Sequence, residues 1–160
     1  MIHRSIASVE SAAFGRHSAI YVTEAFENAH PDIVQRLVNA FVKAARFGAD
    51  ETNRTAVFAL WAKSGYPENA FAEDLADERL ANRLTPLIDP YVIERYQQLA
   101  QRVHEYGLIR KDVDVDTWFE PKYLDAALKD QHLEHFWPLY DASGKKTTDG
   151  DVERTVAAQK

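Results

Sequence analysis

The stretch Tyr21-Val-Thr-Glu-Ala-Phe-Glu-Asn-Ala-His-Pro-Asp32, running on as Ile33-Val-Gln-Arg-Leu-Val-Asn-Ala-Phe-Val-Lys-Ala-Ala45, decides the fold. Ser18 to Thr23 is the best strand candidate, because Ile20, Tyr21, Val22 and Thr23 favour extended backbone. A turn follows, and His30 and Pro31 then mark the start of a helix. Proline suits the first helical position, where its missing N–H had no intrahelical partner. Asp32 places negative charge near the positive end of the helix dipole. Ile33, Val34, Leu37, Val38, Phe41, Val42 and Ala45 recur at helical spacing and form one apolar face.

Working outward, the helix is expected from about Pro31 to Phe47, with Gly48 placed to end it. A second helix from about Glu51 to Lys63 carries Val57, Leu60 and Trp61, and Gly65 sits just past its end. Tyr66-Pro67-Glu68 restarts a third, charged helix with Phe71, Leu75 and Leu80 as its candidates for burial. Asp89 is a plausible N-cap with Pro90 at the first helical position. From there Val92, Ile93, Tyr96, Leu99, Ala100, Val103 and Tyr106 form a stripe that stops at Gly107. Leu108 to Val115 reads as extended, and Thr117 to Leu128 as a short helical stretch. Residues 1–16 form a lead-in, 17–140 the folded unit, and 141–160 a polar, weakly ordered tail.

Length and composition bound the function. A chain of 160 residues is one domain's worth, and its 46% hydrophobic content can build a core. A formal charge of −6, with Lys and Arg dispersed among acids, argues against nucleic acid, whose phosphates need a clustered basic surface. The Lys145-Lys146 pair beside Gly144 reads as a solvated loop. With no cysteine there are no disulfides, thiolate metal sites or Cys nucleophiles. No apolar run approaches the roughly 20 residues of a membrane span. The first ten residues lack the apolar core of a signal peptide, so the sequence as written carries no export signal.

The candidate chemistry is sparse. Asp112, Asp114 and Asp116 invite a calcium reading, but Thr117 and Tyr123 stand where an EF-hand loop needs Gly and Glu. An extended segment with Asp116 capping the next helix is the simpler account. His132 and His135 share a face if residues 129–136 are helical, with Asp130 and Glu134 nearby, yet a zinc site needs three or four ligands and no third partner is evident. No metal and no cofactor is therefore expected. His30 and His104 lie at helix ends, where capping or dipole roles are ordinary. Glu73, Asp74, Asp77 and Glu78 read as a solvated face within reach of Arg79 and Arg83. Nucleophile elbows, zincin motifs, phosphate loops and dinucleotide fingerprints are absent, so no catalytic residue is assigned and a non-enzyme is expected. Arg16, His17 and Ser18 precede the strand, where they would meet an anion in any pocket beside it; a polar loop is the alternative.

The order of these pieces resembles the C-terminal part of the solute-binding proteins of nitrate-, sulfonate- and taurine-type ABC importers. The likeness rests on Ala19 to Phe47, on Pro90 to Val115 with its Tyr106-Gly-Leu-Ile-Arg110 turn and Val113-Asp-Val115, and on Asp116 to Ala127. It covers roughly residues 17–130. The resemblance implies an α/β fold of the periplasmic-binding-protein type II kind. Within this chain it would be mainly helical, with one or two short strands, about five helices and an incomplete lobe. It further implies a periplasmic protein that closes about a hinge on a small anion or organosulfur ligand and is presented to a membrane permease. A complete product without an export signal would instead be cytoplasmic. By the resemblance, Ile20 to Thr23 is the strand returning across the hinge, the helices after it are the lobe's closing layer, and His17 and Ser18 are the residues able to reach a ligand. Such a layer alone would expose its apolar faces. Two other expectations compete with it. One is a freestanding, mainly helical interaction domain that self-associates through that face. The other is a small helical enzyme using His132 and His135.

Overall fold

The computed structural model describes residues 19–152. Among them are seven α-helices, two single-turn 3-10 helices and one two-stranded sheet. Helix α1 (Glu24–Ala29) is short, and Thr23 caps it by accepting the Phe26 N–H on its side-chain oxygen at 3.2 Å. His30 ends α1 and begins α2 (Pro31–Ala49), the long helix around which the chain is arranged. Pro31 and Asp32 stand at its start as the sequence predicts.

Helix α2 does not stop at Gly48. It runs on to Ala49, and Asp50 then caps a 3-10 turn (Glu51–Asn53) by accepting from the Thr52 N–H at 3.1 Å and the Thr52 hydroxyl at 2.7 Å. Gly48 serves packing rather than termination: a Cβ there would overlap the Leu84 side chain. Helix α3 (Arg54–Ala62) follows and ends before Gly65, whose φ of +100° suits glycine.

The third predicted helix is broken into α4 (Glu68–Asp74) and α5 (Leu80–Arg83). Arg54 holds the turn between them, donating to the carbonyls of Leu75 (3.1 Å) and Glu78 (2.6 Å) and to the Glu51 carboxylate (2.7 Å). Glu51 also accepts the Leu80 N–H at 2.8 Å and so satisfies an orphan donor at the start of α5. The acidic cluster is not wholly solvated. Glu78 is buried against Arg83, which also reaches Asp74 at 3.1 Å.

Helix α6 (Pro90–Glu105) begins where expected, with buried Asp89 accepting the Val92 N–H at 3.0 Å. It closes on Gly107 in a Schellman arrangement: Leu108 N–H donates to Val103 O and Gly107 N–H to His104 O. Beyond it the chain makes a second 3-10 turn (Val115–Trp118), whose cap is Asp114 and not Asp116; Asp116 instead accepts from Gln97 at 2.9 Å. Helix α7 (Lys122–Asp130) packs along α2.

Residues 141–152, expected as a polar tail, carry ordered structure. Strands β1 (Leu139–Tyr140) and β2 (Lys146–Thr148) pair antiparallel, and Val152 is buried in the main core. Lys146 is paired with Asp149 at 2.8 Å within this hairpin region. Gly150 lets the chain pass against the Phe136 and Trp137 backbone, where a Cβ would collide.

Three apolar clusters result. The largest joins Val42 and Ala49 of α2 to Leu124, Ala127 and Leu128 of α7 and to Phe136 and Trp137. Val57, Phe58, Leu75 and Leu80 form the second, and Val92, Tyr96 and Val115 the third. The strand expected over residues 18–23 is not formed: Ser18 lies outside the described residues, and residues 19–23 have no pairing partner among the rest.

Candidate functional site

The same helical stripe that builds the core also leaves a surface open. A groove of about 810 Å³ runs along α2, floored by Val34, Leu37, Val38 and Phe41 and continuing over Phe47 and Gly48. Val57, Leu60 and Trp61 of α3 wall one part of it, and the Arg83–Ile88 segment lies alongside. Tyr96, Phe119, Tyr123 and Leu124 close another part, and Ala19 to Val22 form the rim. The lining is mostly apolar. Phe41 is 45% exposed and Tyr21 71%, and Ile20, Val22, Leu37, Phe47, Leu60 and Trp118 are exposed as well. A contiguous exposed apolar surface of this kind marks an interaction site.

Few polar groups meet the groove, and most are engaged. Arg83 is held by Asp74 and Glu78. Glu27 accepts from Lys122 Nζ at 2.7 Å and from the Tyr123 hydroxyl at 3.2 Å, tying α1 to the start of α7. The Lys122 hydrogen bond, opposed by partial desolvation, holds the Glu27 carboxyl below its usual range, while Lys122 is raised by its bonds to Glu27 and Glu120. The Tyr96 hydroxyl lies 3.4 Å from that of Tyr21. Burial first, and that contact second, push the Tyr96 phenol up to about 12. These groups brace the walls, and they present no converging set of free cations to an anion.

The site residues inferred from the sequence fare unequally. His17 and Ser18 lie outside the described residues, as do residues 1–16 with Arg16. Ala19, next to Ser18, lines the groove. His132 and His135 are not on one helical face. α7 ends at Asp130, and His132 adopts φ +55° in the left-handed position that closes it, with Leu133 N–H donating to Leu128 O. No group of three or more metal-ligating side chains occurs among the described residues. His104 Nδ1 meets Asp112 at 2.7 Å in the last turn of α6. What the sequence did not reveal is the groove's extent, because its wall from Arg83 to Ile88 has no periodic pattern.

The helices thus leave one apolar face open, lined by α2 and α3. No protein-family model matches the sequence, and no curated protein matches it. Among solved structures, the chain is similar to the periplasmic sulfonate-binding protein of a sulfonate ABC transporter from Methylobacillus flagellatus KT. The TM-score is 0.68 and the identity 26%, over 74% of this chain. The chain spans 36% of the length of that protein. Mainly helical content within a periplasmic-binding-protein likeness agrees with the coarse fold class expected from the sequence, but the described residues hold seven helices where about five are expected, and the two strands fall at 139–148 and not at 18–23. Among the described residues no helix is long and apolar enough to cross a membrane.

Proposed function

We propose that this chain is the C-terminal portion of the solute-binding component of an ABC importer for a small anion or organosulfur compound of the sulfonate, nitrate or taurine class. The observation that carries this is the fold match to a sulfonate-binding protein across most of the chain. The role is binding and presentation, with no covalent step: the ligand is held between two lobes, and the closed form is read by a membrane permease on the periplasmic side. Most of the pocket then belongs to the polypeptide that the similarity does not reach. His17 and Ser18, which precede Ala19 in the sequence, are the residues of this chain to which the proposal gives polar contacts with the ligand.

The test is to express the chain together with the coding sequence immediately upstream and titrate the product with ethanesulfonate, taurine and nitrate by calorimetry. Saturable binding of one of them, weakened at least tenfold by His17→Ala with Ser18→Ala, is the expected result. Heat flat for all three anions would sink the proposal. The competing reading, a freestanding interaction domain, draws on the exposed Leu37 and Phe41 side chains. It requires a cooperatively folded homodimer of the 160-residue chain by itself.

A further inference from the structure

The C-terminal end of α6 carries a second exposed apolar feature, apart from the groove. The helix's stripe begins inside the protein, where Val92 and Tyr96 are buried, and runs on through Leu99 and Val103 to Tyr106. Leu99 is half exposed, and Tyr106 and Leu108, on either side of Gly107, are each 72% exposed. None of these four outer residues lines the groove. A Cβ placed on Gly107 would meet nothing within 4 Å, so the turn is a convex tip. Its shape is nevertheless fixed, because Tyr106, Gly107 and Leu108 all return their backbone N–H groups to carbonyls of the last helical turns.

The tip is also basic, in a chain whose formal charge is −6. Between residues 102 and 111 stand Arg102, Arg110 and Lys111 against Glu105 alone, with His104 counted as neutral. All three cations are exposed, and none is ion-paired with a described residue. The acids nearest in sequence are engaged. Glu105 accepts from Gln101 at 2.8 Å, Asp112 meets His104 Nδ1 at 2.7 Å, and Asp114 accepts the Asp116 N–H at 3.2 Å. Arg102 lies one turn before Tyr106 and shares its face. An amphipathic ring and a leucine within a collar of cations match the headgroup layer of an anionic bilayer. We propose that the α6 tip is a membrane-surface anchor: Tyr106 and Leu108 enter the interface of an anionic phospholipid bilayer, and Arg102, Arg110 and Lys111 meet its headgroups. A protein partner fits the tip less well. A specific interface buries about 800 Å² on each side, and two side chains supply a fraction of that, since even a large aromatic offers roughly 150–250 Å². A fluid bilayer closes around a convex tip without a matching surface. Such an anchor holds the protein at a membrane whatever solute it serves.

The experiment sediments the full 160-residue chain with vesicles of phosphatidylcholine, either pure or with about one-third phosphatidylglycerol to give an anionic surface. Retention on the anionic vesicles should exceed that on the neutral ones at least tenfold and be released by high salt. Each cation near such a surface is worth roughly fivefold in affinity. Arg110→Gln with Lys111→Gln should therefore weaken binding at least tenfold, and Leu108→Asp should do likewise, with helical circular dichroism unchanged. Phe41→Asp, in the groove, should leave binding as it was. The chain has no cysteine, so Leu108→Cys offers a single position for a nitrobenzoxadiazole label. Its emission should shift to the blue on anionic vesicles, while the same label on Tyr66→Cys, at another exposed turn, should not move. Two results would overturn the anchor. One is a chain that ignores anionic vesicles, which leaves the tip to a protein partner. The other is binding that survives both tip variants, whether or not Phe41→Asp removes it.

Discussion

The two apolar strips of α2 have opposite fates. Val42 and Ala49 are fully buried, clasped by α7 and by Trp137 from the C-terminal segment. Leu37 and Phe41, on the same helix and equally apolar, line an open groove. A helical stripe therefore reports how much surface needs covering, and the partner that covers each part is a separate question. On the closed side the partner is in this chain; on the open side none of the described residues supplies one.

The sharpest break of that contrast is a pair of truncations. Trp137 is 1% exposed, and its indole N–H has no partner among the described residues, so what it contributes is packing. Trp137→Ala should cost about 3–5 kcal/mol, the usual range for emptying a large aromatic site. Phe41→Ala in the chain alone should change stability by less than about 1 kcal/mol, as exposed substitutions do. Denaturant titrations of the two variants measure the difference. Equal losses would mean that Phe41 is buried in solution.

Arg54→Ala comes next. Its guanidinium links α3 to the turn after α4 through two carbonyls and Glu51, and it holds in place the wall of the groove that α3 forms. Hydrogen bonds from a charged donor contribute roughly 1.5–3 kcal/mol, so a loss of about 2 kcal/mol is expected, read as a lower denaturation midpoint. Arg54→Lys should recover little of it, since one ammonium cannot span three acceptors in a planar fork.

Legibility followed locality. The starts of α2 and α6 were readable from His30-Pro31-Asp32 and Asp89-Pro90, and the end of α6 from Gly107, because a cap acts within one turn of its own residues. Gly48 was misread because a helix-ending glycine and a close-packing glycine look alike until Leu84, distant in sequence, is placed against it. The strand at 18–23 failed for the converse reason. Residues can favour extended backbone, but a strand exists only with a neighbour to pair with. The third helix broke because Arg54 and Glu51 satisfy the turn from outside it. The buried role of Val152 was hidden in a polar context. The anion site expected around His17 and Ser18 falls on residues outside those described.

His132 offers a gentler test of the closed side. It holds a left-handed φ of +55° at the end of α7, a conformation that is unfavourable for a side chain with a Cβ. His132→Gly should raise stability by about 0.5–1 kcal/mol, the relief of strain being partly offset by the freer unfolded chain. An upward shift of the thermal midpoint is the measurement. A fall would show that the imidazole makes contacts worth more than the strain.

The smallest effects lie in the carboxylates, and salt separates the two regions there. Asp50, where α2 ends, is lowered chiefly by the Thr52 hydroxyl, then by the Thr52 N–H, with Arg46 contributing less. Glu27, at the groove, is lowered chiefly by its hydrogen bond from charged Lys122. Both native values lie below those of the unfolded chain, which are about 3.9 for Asp and 4.3 for Glu. Each group therefore lends stability at neutral pH that is lost as the pH falls through its native value. A neutral hydroxyl donor is insensitive to ionic strength, whereas an exposed ion pair is screened. Raising salt should move the Glu27 carboxyl resonance titration upward and leave that of Asp50 nearly fixed. Thr52→Val should do the reverse, lifting Asp50 at any salt without touching Glu27. Equal salt sensitivity at the two sites would mean that Arg46, not Thr52, governs the end of α2.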